Sequence, residues 1–370
     1  MRQGLRTRRG LRVLAMFTSV VGLTASLTVA QAAGASTTKK VARYGAGWIA
    51  GQIVSNGGYL VSFGSPDVPD TAYSVIGLHA AGVGKTASKD AIAYLETQLS
   101  ALTTDGTDDP GTLAYFIMAA HAAGVNPRKF GGHAAQNDLV ARLLATSTTS
   151  GPDAGLFGAQ DPTYNGAFRQ GLALAALAAV KIPASNPAVA AGITWLENQQ
   201  CANGLWEAYR SDPSTNPCTP ADPDTFTGPD TNSTSLAVQG LAAYGDHPQD
   251  GATLSALRSI QSSDAGFPDI AASGQSSDPD STALVIQTIL AEGQDPASSS
   301  WAVSGSTPYT ALASYQLGCS APAADRGAFF YPGSSAANVI ATVQAVPAAA
   351  EKVLPVGPLK TSNAIPTMTC

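Results

Sequence analysis

A short phrase recurs along the 370-residue chain and fixes what it can fold into. A large apolar residue stands four before a Gln at Trp48…Gln52, Tyr94…Gln98, Trp195…Gln199, Leu257…Gln261 and Leu312…Gln316. Four residues are about one helical turn, so both members share a helix face. Five residues after the Gln comes Gly57, Gly204 or Gly266, with Tyr59, Trp206 or Phe267 close behind. Glycine just past a helix end suits a left-handed cap. Gly155-Leu156-Phe157 and Gly327-Ala328-Phe329 read as the same turn after a lost or stretched Gln spacing.

A second phrase follows each first one. Asp70-Thr71-Ala72 opens a run ending in Gly82-Val83, and Thr112 opens a run ending in Gly124-Val125. Later copies run from Arg169 to Val180, Thr234 to Gly245, Thr282 to Gly293 and Asn338 to Val346. These runs are small and apolar with no broad polar face, the pattern of helices buried on most sides. The spacing predicts six pairs of one amphipathic outer helix and one buried inner helix, the inner one opened by Asp, Ser or Thr. Repeats that share one core override the two-domain prior that length alone suggests. The expected fold is all-α, an α6/α6 toroid. A closed ring is preferred to an open solenoid, because neither end carries a polar capping repeat.

The first 35 residues lack Asp and Glu. Five arginines precede an apolar run from Val13 to about Val29 and then Ala30-Gln31-Ala32. That order reads as a signal peptide over residues 1–32, and Thr7-Arg8-Arg9 hints at the twin-arginine route. A linker over 33–40, a toroid over 41–347 and a tail over 348–370 are expected to follow. Leu354-Pro355-Val356-Gly357-Pro358 reads as a linker too. Beyond residue 32 the chain has 15 Lys and Arg against 26 Asp and Glu, a net charge near −11. This argues against nucleic acid or anionic lipid as partner. No later segment is apolar enough to span a membrane. A secreted monomer without cofactor is expected.

Cys201, Cys218, Cys319 and Cys370 are an even set in an exported chain and read as two disulfides. Three pairings can be drawn. Cys201–Cys218 and Cys319–Cys370 are preferred, one closing a loop and the other tethering the tail. A zinc site competes weakly, since no CxxC is present.

Gln200-Cys201-Ala202-Asn203-Gly204-Leu205-Trp206 fits a Q-x-x-x-G-x-W repeat. On these residues the chain resembles the terpenoid cyclase and protein prenyltransferase superfamily, over roughly Val41 to Pro347. The fold is similar to that of cobalamin carriers and complement thioester domains. The resemblance implies an α/α toroid. Class II cyclases of that superfamily carry a D-x-D-D-T-A acid motif, which Asp278-Pro279-Asp280-Ser281-Thr282-Ala283 and Asp67-Val68-Pro69-Asp70-Thr71-Ala72 resemble with two Asp each. It implies Asp280 as proton donor with Asp278 in support, and Ser281 stands where the motif has Asp. The competing reading makes these carboxylates helix caps. The inner helices are short of the aromatic faces that steady carbocations. No zinc set for a prenyltransferase and no Cys-Gly-Glu-Gln thioester is present. Paired carboxylates leave a glycosidase as a lesser option.

Two further motifs read as structure. Gly82-Val83-Gly84-Lys85-Thr86 resembles the end of a phosphate loop but lacks its first Gly, the position being His79. His79 and His121 recur at inner-helix C-termini, where the dipole favours a cation. The Pro- and Asp-rich stretch from Asp212 to Asp230 is a candidate lid. The leading expectation is a secreted protein holding a small apolar or bulky, isoprenoid- or corrinoid-like ligand in a central cavity rimmed by Asp67, Asp70, Asp224 and Asp230. A terpene cyclase or mutase is the alternative, and a cell-envelope interaction protein the second.

Overall fold

The computed structural model describes residues 21–104, 106–158, 166–247 and 250–370. Residues 38–370 form one compact unit. The basic start and the first part of the apolar run, expected as an export signal, lie outside the described residues. Over 33–40, where the sequence predicts a linker, the chain is already helical, inside α1 (Val21–Asn56).

The described residues are mostly helix, with three two-stranded hairpins. The even-numbered helices are the predicted buried runs: α2 (Val68–Ala81), α4 (Pro110–Ala123), α6 (Ala167–Ala179), α8 (Thr231–Ala242), α10 (Pro279–Ala291) and α12 (Val339–Ala349). Between them stand α3 (Lys85–Glu96), α5 (Leu139–Ala145), α7 (Pro187–Asn198), α9 (Asp250–Ile260) and α11 (Pro308–Ser314). Each buried helix packs on the next in the order α2, α4, α6, α8, α10, α12, and α12 packs on α2. Helix α12 ends at Ala349, so the boundary expected at 347 falls inside it.

Four of the buried helices are capped three or four residues before the openings read at Asp70, Thr112, Thr234 and Thr282, and α12 is capped at the one read at Asn338. Asp67, Asp109, Asp230, Asp278 and Asn338 each accept a hydrogen bond from a backbone N–H in the first turn, at 2.5–2.9 Å. These bonds satisfy donors that a helix start leaves unpaired. Helix α6 is the exception, beginning at Gly166 with no side-chain cap. Helices α2 and α4 stop at Gly82 and Gly124, both left-handed with φ of 69° and 72°.

A second bond recurs one turn further in. The hydroxyls of Thr234, Thr282 and Thr342 accept from the backbone N–H of Trp206, Phe267 and Phe329, at 3.0, 3.0 and 2.9 Å. Thr71 does the same for Leu60 at 2.9 Å. The buried residue after the first turn is therefore Leu60, and Tyr59, expected in that role, is only partly covered. In the third copy a glutamine replaces the hydroxyl: Gln170 Oε1 accepts from Phe157 N at 2.9 Å.

The repeat glutamines divide into two groups. Gln200 donates to Gly204 O (3.1 Å), Gln261 to Ala265 O and Trp301 O (both 2.9 Å), and Gln316 to Gly327 O and Val41 O (both 2.9 Å). Each thus tightens its own turn and also ties it to a distant segment, Gln200 through Thr253 Oγ1 at 3.3 Å. Gln199 instead clamps the backbone of Arg210 through both amide atoms. Gln98 lies past the end of α3 and, among the described residues, bonds Thr97, while the Gln52 side chain has no hydrogen-bond partner among them, so the first two copies lack the clamp there.

Both expected disulfides are present, Cys201–Cys218 and Cys319–Cys370. The tail is no linker. Leu354 and Val356 are core residues, and Gln239 and Gln287 hydrogen-bond Leu354 N and Lys352 O at 3.0 and 2.9 Å. Among the described residues no helix is long and apolar enough to cross a membrane.

Helices α6 and α8 touch backbone to backbone. A Cβ on Gly171 would stand 2.0 Å from Leu236 O, and one on Gly240 2.6 Å from Gly171 O. Alanine at either site raises helix propensity by about 1 kcal/mol but overpacks the contact, which typically costs 1–3 kcal/mol. Gly171→Ala is expected to lower the thermal unfolding midpoint, where an exposed helical Gly→Ala would raise it.

Candidate functional site

Five of the six buried helices begin with a carboxylate or amide cap, and further acids interact with three of them, Asp67, Asp230 and Asp278. The caps hold their oxygens on backbone N–H groups. The residues three and two further on do not. Asp70 follows the cap Asp67 in α2, and Asp280 follows the cap Asp278 in α10. Asp70 Oδ2 and Asp280 Oδ1 are buried and accept no hydrogen bond in the structure. The sequence reading that made Asp280 a cap is thus corrected: Asp278 is the cap, through Ser281 N at 2.8 Å.

Burial sets the charge state of this group, because a desolvated carboxylate is penalised relative to its neutral form. Burial pushes Asp280 up to about 7, with Asp278 and then Asp269 adding repulsion. Asp70 is held well above the ordinary carboxylate range by burial, then by Asp67 beside it and by Asp280. Asp230 is raised to about 7 by burial, against the opposing bond from Ser233 N. Asp278 rises to about 6 for the same reason, its Ser281 bond pulling the other way. Asp280 on α10 acts on Asp70 on α2, so the two helices bring their acids to one region.

Three tyrosines belong to the same region. Tyr73 on α2 and Tyr115 on α4 stack with centroids 5.2 Å apart. Burial raises both, and Asp70 raises each further. Tyr331, in the turn before α12, is raised by burial and then by Asp278, Asp280 and Asp269. Asp109 is ion-paired with Arg169 on α6 at 2.8 Å, which places one cation near Tyr115. The sequence reading missed these groups. Its aromatic shortage was judged from the Ala, Leu, Val and Gly that dominate the inner helices, whereas Tyr73 and Tyr115 sit at the same position, six after the cap, in the first two copies.

Of the acids expected at a rim, Asp67 and Asp230 cap α2 and α8, and Asp70 stands in the first turn of α2. Asp224 is exposed in a turn, its backbone N–H bonded to Asp222. The stretch from Asp212 to Asp230 is pinned by Arg210, which donates to Asn216 O at 3.2 Å, and by the Cys201–Cys218 bond. It leads directly into the cap of α8. His79 and His121 are shifted away from the charge that a helix C-terminus favours. Burial lowers both, with Lys181 adding to the shift at His121.

No protein-family model and no curated protein matches the chain. Among solved structures it is similar to the type II terpene cyclase MstE from Scytonema, in complex with its substrate geranylgeranyl dihydroxybenzoate. The identity is 14%, the TM-score 0.51, and the match covers 86% of this chain and 98% of that one. It is also similar to ent-copalyl diphosphate synthase from Streptomyces platensis, at 16% identity and a TM-score of 0.44. That match covers 78% of this chain and 52% of the synthase, so the chain spans about half the length of that enzyme. At such identities fold is what is shared, and the chain has a terpenoid cyclase-like fold, in keeping with its repeats.

Proposed function

We propose that the protein is a closed α6/α6 toroid that takes an apolar, isoprenoid-like molecule at its carboxylate-bearing end and protonates it with Asp280. The return of packing from α12 to α2 supports closure. The observation that carries the acid role is the division of labour in α10. Asp278 caps the helix, while Asp280 keeps a buried, unbonded oxygen and, at about 7, holds its proton near neutrality. A general acid needs its proton at the working pH.

The step balances as an isomerisation. The alkene π pair takes the Asp280 proton to form a C–H bond, leaving a cation on the neighbouring carbon. The next double bond closes a ring onto that carbon. Loss of a proton to water ends the sequence, and the Asp280 carboxylate is reprotonated. The stacked faces of Tyr73 and Tyr115 suit a positive charge. Asp278 and Asp269 favour return of the proton. Phe63 and Phe226, both exposed, stand shortly before the caps Asp67 and Asp230 and suit an apolar ligand.

Export of the mature chain is part of this reading and is supported by the two disulfides. So is a lid role for the stretch from Asp212 to Asp230. A second reading, a carrier that holds the same molecule without converting it, is favoured by Ser281, which leaves one carboxylate fewer behind the acid than the motif it resembles.

Incubation with geranylgeranyl-bearing polyenes, read by mass spectrometry, is expected to give a cyclic isomer of unchanged mass. Asp280→Asn should reduce its rate by about 10²-fold or more. A bound but unconverted polyene would leave the carrier, and the absence of binding would end both readings.

The proton on Asp280 also has a stability signature. Its folded value lies above the ordinary 3.8, so the folded state binds the proton more tightly than the unfolded one. That stabilisation is complete below about pH 4 and is lost as pH rises through about 7. Asn cannot ionise, so Asp280→Asn should gain stability relative to wild type between pH 5 and pH 8, by up to about 3 kcal/mol. Thermal unfolding of the two proteins across that range measures it, and a constant difference would show that Asp280 is not buried as an acid.

A further inference from the structure

We infer that a second site, at the opposite ends of α2 and α4 from the carboxylates, binds an anionic amphiphile. A cavity of about 670 Å³ lies there between α3, the end of α4 and the tail. Its size is within the range of small-molecule sites, roughly 300–1,000 Å³. Three lysines line it: Lys85 and Lys89 from α3 and Lys360 from the tail. The chain has only eight lysines and a net charge of −6, so three on one cavity is a concentration of positive charge against the general balance.

None of the three is ion-paired among the described residues. Lys85 and Lys89 stand one turn apart on the same face of α3. The one carboxylate on the lining, Glu96, lies almost two turns beyond Lys89. Between them the surface is apolar, formed by Ile92 of α3, Val125 after α4 and Leu359 of the tail. A charged head on the lysines and an apolar chain along this floor would satisfy both halves of the cavity. A purely polar anion would leave the floor wet.

The site is built before any ligand arrives. Its outer wall, residues 359–361, is continuous with a strap hydrogen-bonded into the α2–α3 turn. Ser362 N donates to Gly82 O (3.1 Å), Lys85 N to Ser362 O (2.9 Å) and Gly84 N to Ala364 O (3.0 Å). His79 fixes the inner wall, its two ring nitrogens engaged by Leu359 O at 3.2 Å and Ser88 Oγ at 3.1 Å. The far end of the tail is tethered by Cys319–Cys370. The carboxylates at the other ends of the buried helices would repel the same ligand, which separates the two sites by charge.

Calorimetric titration of the full chain with dodecyl phosphate, dodecanoate and dodecanol, each below its aggregation limit, tests this. Both anions are expected to bind at least tenfold more tightly than the alcohol, and the tighter of the two identifies the headgroup. The Lys85→Glu, Lys89→Glu double variant should weaken the anions at least tenfold without moving dodecanol. Lys360→Gln, a milder change, should weaken them several-fold at an unchanged unfolding midpoint. Asp280→Asn should bind as wild type, which keeps this outcome independent of the acid site. Equal affinity for dodecanol, indifference to the lysine substitutions, loss of binding in Asp280→Asn, or no binding of any probe would overturn the proposal.

Discussion

Among the described residues, five of the six buried helices are held in place by a bond that comes from outside them. The backbone N–H of the residue after a Gly turn donates to a side chain one turn into the next buried helix: Thr71, Gln170, Thr234, Thr282 or Thr342. That N–H is buried, so losing its partner would cost roughly 1–3 kcal/mol. The bond therefore fixes both the height of the turn and the starting point of the helix. Because Asp67, Asp230 and Asp278 are the caps of helices held in this way, their depth is inherited from the turns. The acidic end is a consequence of the repeat rather than an addition to it.

This explains why neighbouring acids in one turn behave differently. A cap carboxylate sits on backbone N–H groups and has a local reason to ionise. Asp70 and Asp280, in the first turn but off the cap, receive no such donor for their buried oxygens. Desolvation then dominates, and repulsion from the cap beside each one adds to it. Two or three residues of helical offset separate a carboxylate bonded to the backbone from one with a buried oxygen that has no donor.

What was legible in the sequence was local. The opening at Asn338, the helix exits at Gly82 and Gly124, and the alternation of amphipathic and buried helices all follow from spacings under five residues, whereas the caps Asp67, Asp109 and Asp278 fall three or four residues before the openings read at Asp70, Thr112 and Thr282. The two disulfides followed from loop closure. What was hidden depends on which helices meet. Tyr73 and Tyr115 stack only because α2 lies against α4. Tyr331 reaches the acids from a turn some fifty residues downstream. Asp224 shared the composition of the rim but falls on an exposed turn. Leu354-Pro355-Val356 reads as a linker because its partners, Gln239 and Gln287, lie 115 and 65 positions away.

Those two glutamines make the molecule behave unlike an open array of repeats. In such an array each unit answers only to its neighbours, so the ends can fray while the middle stands. Here two amide side chains deep in α8 and α10 find their backbone partners only when the tail lies across the helix ends. Withdrawing that segment would strand polar atoms inside an apolar layer and uncover Leu354 and Val356 together. Damage at one end is thereby transmitted to helices in the middle of the chain, and unfolding is drawn toward a single all-or-none event.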